Sequence, residues 1–574
     1  MRSSFRFLST KAYCHFQRPS PRPFSTESLP LKPYSREEEY TFYNYTSGTW
    51  LYDREAQYAM RHLKFNVDAL ITQCVKAGNA TTCTMFKKLA EGTSNRSFLA
   101  KLDNGKDVVA RVPFPVAGPT RLTMASEVAT LEFARLRLDT PTPRVLNYCA
   151  DAAATDVGSE FIIMEKVSGV ELASRWNDDV PFDDFAALIQ ELVKTERKWA
   201  DASLPYVGSL YFARDLPATT RSLELPGDVP HHAQWGHFVI GPSVARKFWR
   251  GARAQLDVDR GPWNDMRSHV SAAIKCEIEW LRSIALPYPR HSPLYRSERE
   301  NSPATHIDLL QRCLQIIPFL PDPPEYSKFC VWNPDLNASN ILVDNTGPLT
   351  PRCYLDWQLA TVDTLLDISE PSFLDYAGGK YIQIGDDPAR PPRLPAGFDQ
   401  LPEAEKVIAK KEQRLAMPST YYHHATKHWN PALDAARSSP WQAWYHTFLE
   451  YPQYTWEDGV APLKQALIDM CKVWDDIAPG TTCPISFDPV EVRMNGLDFV
   501  GWVREQSVQF LRKKIGLGAD GWVEENKLED ARRRNREALE QTVAELDHEE
   551  DKAYIRRRWP FQDGALSSTA ESYR

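Results

Sequence analysis

The chain has 574 residues, 43% hydrophobic and 25% charged, with a formal net charge of −8. That is an ordinary composition for a folded protein, at a length that allows several cores. The acidic balance argues against a non-specific nucleic-acid binder, which carries a basic footprint, and no uncharged apolar run approaches the roughly 18 residues of a membrane-spanning helix.

Residues 1–26 carry Arg2, Arg6, Lys11, Arg18 and Arg22, many Ser and Thr, and no acid before Glu27. Basic, Ser-rich and acid-poor is the composition of a mitochondrial presequence. Arg22-Pro23-Phe24-Ser25 resembles a matrix-protease site cut after Phe24. The ten cysteines are scattered without a C-x-x-C pair, and so read as thiols of a reducing compartment.

Residues 35–62 mix acids and aromatics around a Thr46-Ser47-Gly48 turn, with a short helix expected over 53–62 and another beginning near Phe65. From residue 84 the pattern changes to strands at 85–90, 97–102 and 107–112, separated by residues 91–96 and by the Asp103-Asn104-Gly105 turn. Three antiparallel strands with a small-residue loop make a roof for a nucleotide, the loop's N–H groups facing the phosphates. Gly92, Ser94 and Asn95 are the candidate contacts. Arg111 ends the third strand, where protein kinases place a phosphate-binding lysine, and an arginine grips phosphate oxygens through two N–H groups. A helix over 123–138, apolar at Ala125, Ala129, Phe133 and Leu136, stops at Asp139-Thr140-Pro141. Glu127, in its first turns, is placed to reach back to Arg111.

Residues 161–164 read as a buried strand. The long middle, 170–327, holds helices near 182–200 and 263–284 with Pro-rich connections. A substrate wall or lid has room there, though its aromatics read as core.

The most informative stretch is 329–358, FCVWNPDLNASNILVDNTGPLTPRCYLDWQ. Two apolar runs, 340–344 and 352–356, flank Asn345-Thr346-Gly347-Pro348, a hairpin signal. Asp335 and Asn340 precede the hairpin and Asp356 follows it. Phosphoryl transfer needs one carboxylate to orient the attacking hydroxyl, with an Asn and a second Asp holding Mg2+ against ATP. Mg2+ takes hard oxygens and keeps several waters, so two side chains plus phosphate oxygens suffice. Asp335 is thus the candidate base, and Asn340 and Asp356 the candidate metal ligands. Asp356 has no nearby cation in sequence, which adds to its claim on the metal.

Further on, His424 and His428 lack the glutamate and third ligand of a zinc motif. Residues 526–547 form an amphipathic helix striped by Leu528, Ala531, Ala538, Leu539, Val543 and Leu546. The arginine runs 532–534 and 556–558 are flanked by acids and read as solvated faces.

The run W-N-P-D-L-N-A-S-N-I-L-V-D followed by L-D-W-Q resembles the aminoglycoside phosphotransferase family, whose loop usually reads H-x-D-L-H-x-x-N. Asn333 and Asn337 stand where relatives commonly carry histidine. Y-T-S-G-x-W-L-Y and F-N-V-D-x-L near the amino terminus resemble a fungal subgroup. The resemblance implies an α+β, bilobal protein-kinase-like fold, with a small antiparallel β lobe and a larger α-helical lobe. It implies that adenine meets the backbone at Glu165 and Val167, and that the base at 335 survives Asn333, which braces the loop as the usual histidine does. Asn333→His would then change activity modestly, and upward if the loop is loosely held. Relatives also place acids near Asp363, Asp367 and Glu370 to brace the loop; an exposed helix explains those three equally well.

The expected organisation is a presequence over 1–24, an extension over 25–64 and a nucleotide-binding small lobe over 65–166. A helical catalytic lobe with its insert follows over 167–525, then a carboxy-terminal helix over 526–561 and a disordered tail over 562–574. The expected activity is transfer of the γ-phosphoryl of ATP, with Mg2+, to an unidentified hydroxyl acceptor, small molecule or protein, in the mitochondrial matrix. A non-catalytic pseudokinase, nucleotide-binding or structural, is the alternative kept open by Asn333, the one-glycine loop and Arg111.

Overall fold

A computed structural model describes residues 32–564 apart from 178–179, 227–230, 291, 293, 322–327, 377, 384, 386–387, 510 and 519. The expected presequence, 1–24, and nearly all of the expected tail lie outside the described residues. Five strands make one antiparallel sheet in the spatial order Cys83–Glu91, Asn95–Leu102, Asp107–Pro113, Phe161–Glu165, Val145–Cys149. Side chains alternate between the faces of a strand. Val108, Ala110 and Val112 face a core shared with Leu70 and Cys74 of helix Val67–Ala77. Arg111, out of step with them, points to the opposite face, where the cleft lies. Helix Leu122–Arg137 is buried almost throughout and joins the core of the larger, helical lobe.

That lobe is built on long helices, among them Phe182–Asp201, Met266–Ser283, Glu403–Trp429 and Pro440–Asp458. Two short pairings carry the cleft residues. Strand Phe329–Trp332 pairs antiparallel with Thr361–Thr364. Strand Ile341–Val343 pairs with Pro351–Tyr354 and, on its other edge, with Val170–Glu171. Gly169 enters that last strand at φ +131°, and a Cβ there would stand 2.7 Å from the Val343 carbonyl. Only glycine satisfies both conditions.

The region 170–327 holds more than helices. Ser209–Phe212, Phe238–Gly241 and Leu223–Glu224 form a three-stranded sheet, anchored beneath the cleft where Gly208 bridges Val362. Among the described residues, an early and a late segment also meet. Thr49–Trp50 pairs antiparallel with Trp522–Val523, and Tyr52 joins Ile515, Val523, Leu528, Trp559 and Phe561 in one small core.

Candidate active site

Strand Phe329–Trp332 delivers the loop that carries Asp335, and three asparagines set the loop's shape. Asn333 is fully buried. Its Nδ2 donates to the carbonyls of Leu355 (3.3 Å) and Asp356 (3.2 Å), and its Oδ1 accepts the Asp335 N–H at 2.9 Å. One side chain thus ties the loop to the segment bearing the second carboxylate. Asn337 caps the turn Ala338–Asn340, accepting the N–H groups of Ser339 (2.9 Å) and Asn340 (3.2 Å). Its Nδ2 donates to Asp335 Oδ1 at 2.9 Å. Asn340 donates from Nδ2 to the Asp335 carbonyl (2.9 Å) and to Oδ2 (3.3 Å), and its own Oδ1 has no donor among the described hydrogen bonds. In the sequence alone, Asn337 registers only as a departure from histidine. The available signal was the Asx-turn chemistry of an asparagine ahead of a short helical turn.

Asp335 remains within reach of solvent, yet the walls around it withdraw enough water to raise its carboxyl above the usual range. Its bond from Asn337 opposes that shift, and the nearby Asp356 adds to it. A carboxylate whose pKa is raised accepts a proton more readily, as a base requires. Arg246, which sequence reasoning did not single out, lies close enough to act on Asp335 in the opposite sense.

Across the cleft, Arg111 reaches two acids. It is paired with Glu127, and its Nη1 stands 3.2 Å from Asp356 Oδ1. Arg111 and Glu127 are 7% and 2% exposed at the side chain, so both charges are essentially removed from water. Burial pushes the Glu127 carboxyl up to about 7, with Arg111 pulling it down and Asp356 pushing it further up. Reading Asp356 as lacking a cation is therefore corrected. Its neighbour is 245 residues away in sequence, a distance that no local pattern spans. Asp356 itself sits at φ 50°, and Leu359, three residues on, at φ 64°; non-glycine residues in that region mark a backbone held by its surroundings.

The roof turn is tighter than the sequence suggested. Strands run through Glu91 and from Asn95, leaving a turn of Gly92, Thr93 and Ser94. The Gly92 N–H is closed onto the Asn95 carbonyl at 2.9 Å, and the Ser94 carbonyl accepts the Phe114 N–H at 2.8 Å. Asn95 is thus a strand residue paired with Pro113, and the Gly92 N–H is already used. The N–H groups of Thr93 and Ser94 have no partner among the described hydrogen bonds. At the other end of the sheet, Glu165 closes strand Phe161–Glu165, its N–H bonded to the Arg144 carbonyl at 3.1 Å. Val167 follows, half-buried.

The acids after Asp356 are not on a surface helix. Asp363 lies in strand Thr361–Thr364 with His269 Nδ1 3.6 Å away, and burial pushes its carboxyl up to about 7. Asp367 lies 3.9 Å from His446, and Glu370 3.7 Å from Arg437. Among the described residues, no group of three or more His, Cys, Asp or Glu could hold a metal ion.

A roof sheet, a buried arginine–glutamate pair and an Asp/Asn loop facing a second Asp are set in a kinase-like fold of α+β, bilobal architecture. A family model described as the phosphotransferase enzyme family matches residues 86–256. Over that region the chain resembles the family, and over most of its length it is similar to fungal proteins. It is 29% identical over 525 residues to a subtelomeric hrmA-associated cluster protein of Aspergillus fumigatus, covering 84% of this chain and 97% of that protein. Altered inheritance of mitochondria protein 9, mitochondrial, from Zygosaccharomyces rouxii is 23% identical over 503 residues, covering 76% and 79% of the two chains. Among solved structures, macrolide 2'-phosphotransferase MphH from Brachybacterium faecium is 13% identical, covering 70% of this chain and 95% of its own, with a TM-score of 0.29.

Proposed function

We propose that this chain is a mitochondrial phosphotransferase that moves the γ-phosphoryl group of ATP, with Mg2+, to a hydroxyl acceptor. The observation that supports it best is the meeting of Arg111, Glu127 and Asp356 in one cleft with a loop on which Asn340 is bonded to Asp335. In this reading Asp335 orients the acceptor hydroxyl and takes its proton. Arg111 grips the phosphates beneath the Thr93–Ser94 N–H groups of the roof turn, and adenine meets the backbone at Glu165 and Val167. Asn340 Oδ1 and the Asp356 carboxylate are hard oxygen donors that suit Mg2+. When bound, the ion neutralises charge on the transferring phosphates. The presequence-like composition of residues 1–26 and the mitochondrial names of relatives support the location.

A non-catalytic, nucleotide-binding reading is favoured by one feature: Arg111 sits on Asp356, one of the two metal ligands. Turnover separates the two. Residues 25–574 would be assayed for ATP hydrolysis and for phosphorylation of pooled mitochondrial metabolites, beside Asp335→Asn. The expected result is turnover by the wild type and a rate lower by about 10²–10⁴-fold in the variant, with ATP affinity kept. Equal residual rates would sink the enzyme reading.

A further inference from the structure

The roof turn is held from outside by an early segment, 50–61, together with a late one around Asp520. Arg61, which ends helix Arg54–Arg61, is only 4% exposed. Its Nε donates to the Thr93 carbonyl at the tip of the turn (3.1 Å), and its Nη2 to Asp520 Oδ2 (3.0 Å). The same carboxylate oxygen accepts Trp50 Nε1 at 3.0 Å, across 470 residues of sequence. The Trp50 ring lies 4.5 Å from the Arg61 guanidinium, which fixes its plane. Behind the turn, Glu91 and Arg96 form an ion pair at 3.2 Å with both side chains 1% exposed. Arg96 in turn donates to the Arg61 carbonyl at 3.1 Å. Gly521, next to Asp520, stands at φ +84°, and a Cβ there would lie 2.6 Å from the Tyr52 ring. The carboxy-terminal segment is therefore seated in a fixed place against the amino-terminal extension.

Thr93 belongs to neither segment; it is the point where this assembly touches the proposed nucleotide site. Removing the charge from Asp520 takes away the carboxylate paired with a nearly buried guanidinium, which also donates to Gln57, and so weakens the hold on its geometry. We propose that Asp520 is a positioning residue for the nucleotide: through Arg61 it fixes the turn 92–94 over the phosphates, so that ATP affinity depends on the carboxy-terminal segment. The inference rests on the nucleotide reading above and extends it to a residue far outside the family-matched region, 86–256.

The test uses the full chain with Asp520→Asn and Asp520→Glu. Calorimetry would measure Mg·ATP and adenosine, and hydrogen exchange would be followed at residues 91–96 and 107–113 without nucleotide. Adenosine has no phosphate beneath the turn, so a positioning role separates the two ligands where general destabilisation does not. Asp520→Asn is expected to weaken ATP by about 5-fold or more, leave adenosine unchanged and speed exchange at 91–96 alone. Asp520→Glu, which keeps the charge, should recover most of the ATP affinity. Unchanged exchange at 91–96, or equal weakening of ATP and adenosine, overturns the proposal. A wild type that binds no ATP overturns the nucleotide reading instead; exchange at 91–96 then decides by itself whether Asp520 holds the turn.

Discussion

Asn333 shows what one buried side chain settles. With the wild-type side chain fully buried and three hydrogen bonds made, the loop is held tightly, so the condition for a gain from Asn333→His is not met. Imidazole is larger, and forcing it into a filled site costs about 1–3 kcal/mol. The expected outcome is lower turnover and a lower melting temperature, checked by parallel assays of wild type and variant; a faster Asn333→His enzyme would show that the loop has slack. At Asp356 the nearby Arg111 splits the expectation by metal. With Mg2+ present, Asp356→Ala removes a ligand and should weaken ATP. With EDTA, the same change frees Arg111 from a competing carboxylate 3.2 Å away, so ATP should bind no more weakly than to the wild type. Calorimetry under both conditions decides it, and equal weakening in both would remove Asp356 from the metal site.

At the scale of elements, the large lobe is locked by a polar knot between helices. Glu196, on Phe182–Asp201, accepts Tyr422 Oη from Glu403–Trp429 at 3.0 Å on each carboxylate oxygen. Arg437 donates to that same hydroxyl at 3.0 Å. Burial pushes the Glu196 carboxyl up to about 7, with Arg437 opposing the shift. Because the folded-state pKa lies above the ordinary value near 4.3, the contribution of Glu196 to stability is complete in acid and is lost as pH rises through about 7. Glu196→Gln keeps an acceptor for Tyr422 and removes the titration. Its melting temperature relative to wild type should therefore improve between pH 5 and pH 8; a constant difference would show that Glu196 does not titrate in this window. The helix carrying Glu196 was legible because its apolar period is regular. Glu403–Trp429 was not, since its 27 residues mix charged, aromatic and proline positions and only six are buried. The insert's strands were missed because they are two to four residues long, too short for an alternation to register. Asp335, Asn340 and Asp356 could be picked out because their spacing is local. The Arg111–Asp356 contact and the hold on Thr93 could not, because they join segments that only the fold brings together.

For the whole molecule, the pairing of 49–50 with 522–523 and the Arg61–Asp520 bond mean that the hold on Thr93 is complete only once Asp520 has been made. They also limit what the amino terminus can lose. Tyr34 is buried and bonded to Asp68 at 2.9 Å, and Ser35 and Glu38 form a capping box on helix Arg36–Tyr43. These contacts anchor the extension downstream of Phe24, where the sequence reading places cleavage. Residues 1–24 are acid-free and carry five basic residues, Arg2, Arg6, Lys11, Arg18 and Arg22, the chemistry of an import signal. Cleavage after Phe24 would spare every contact just named. The protein isolated from mitochondria should therefore begin at Ser25, and a chain of residues 25–574 should melt at the same temperature as the full chain. An intact Met1, cytosolic residence or a lower melting temperature for the shortened chain would each show that residues 1–24 belong to the working protein.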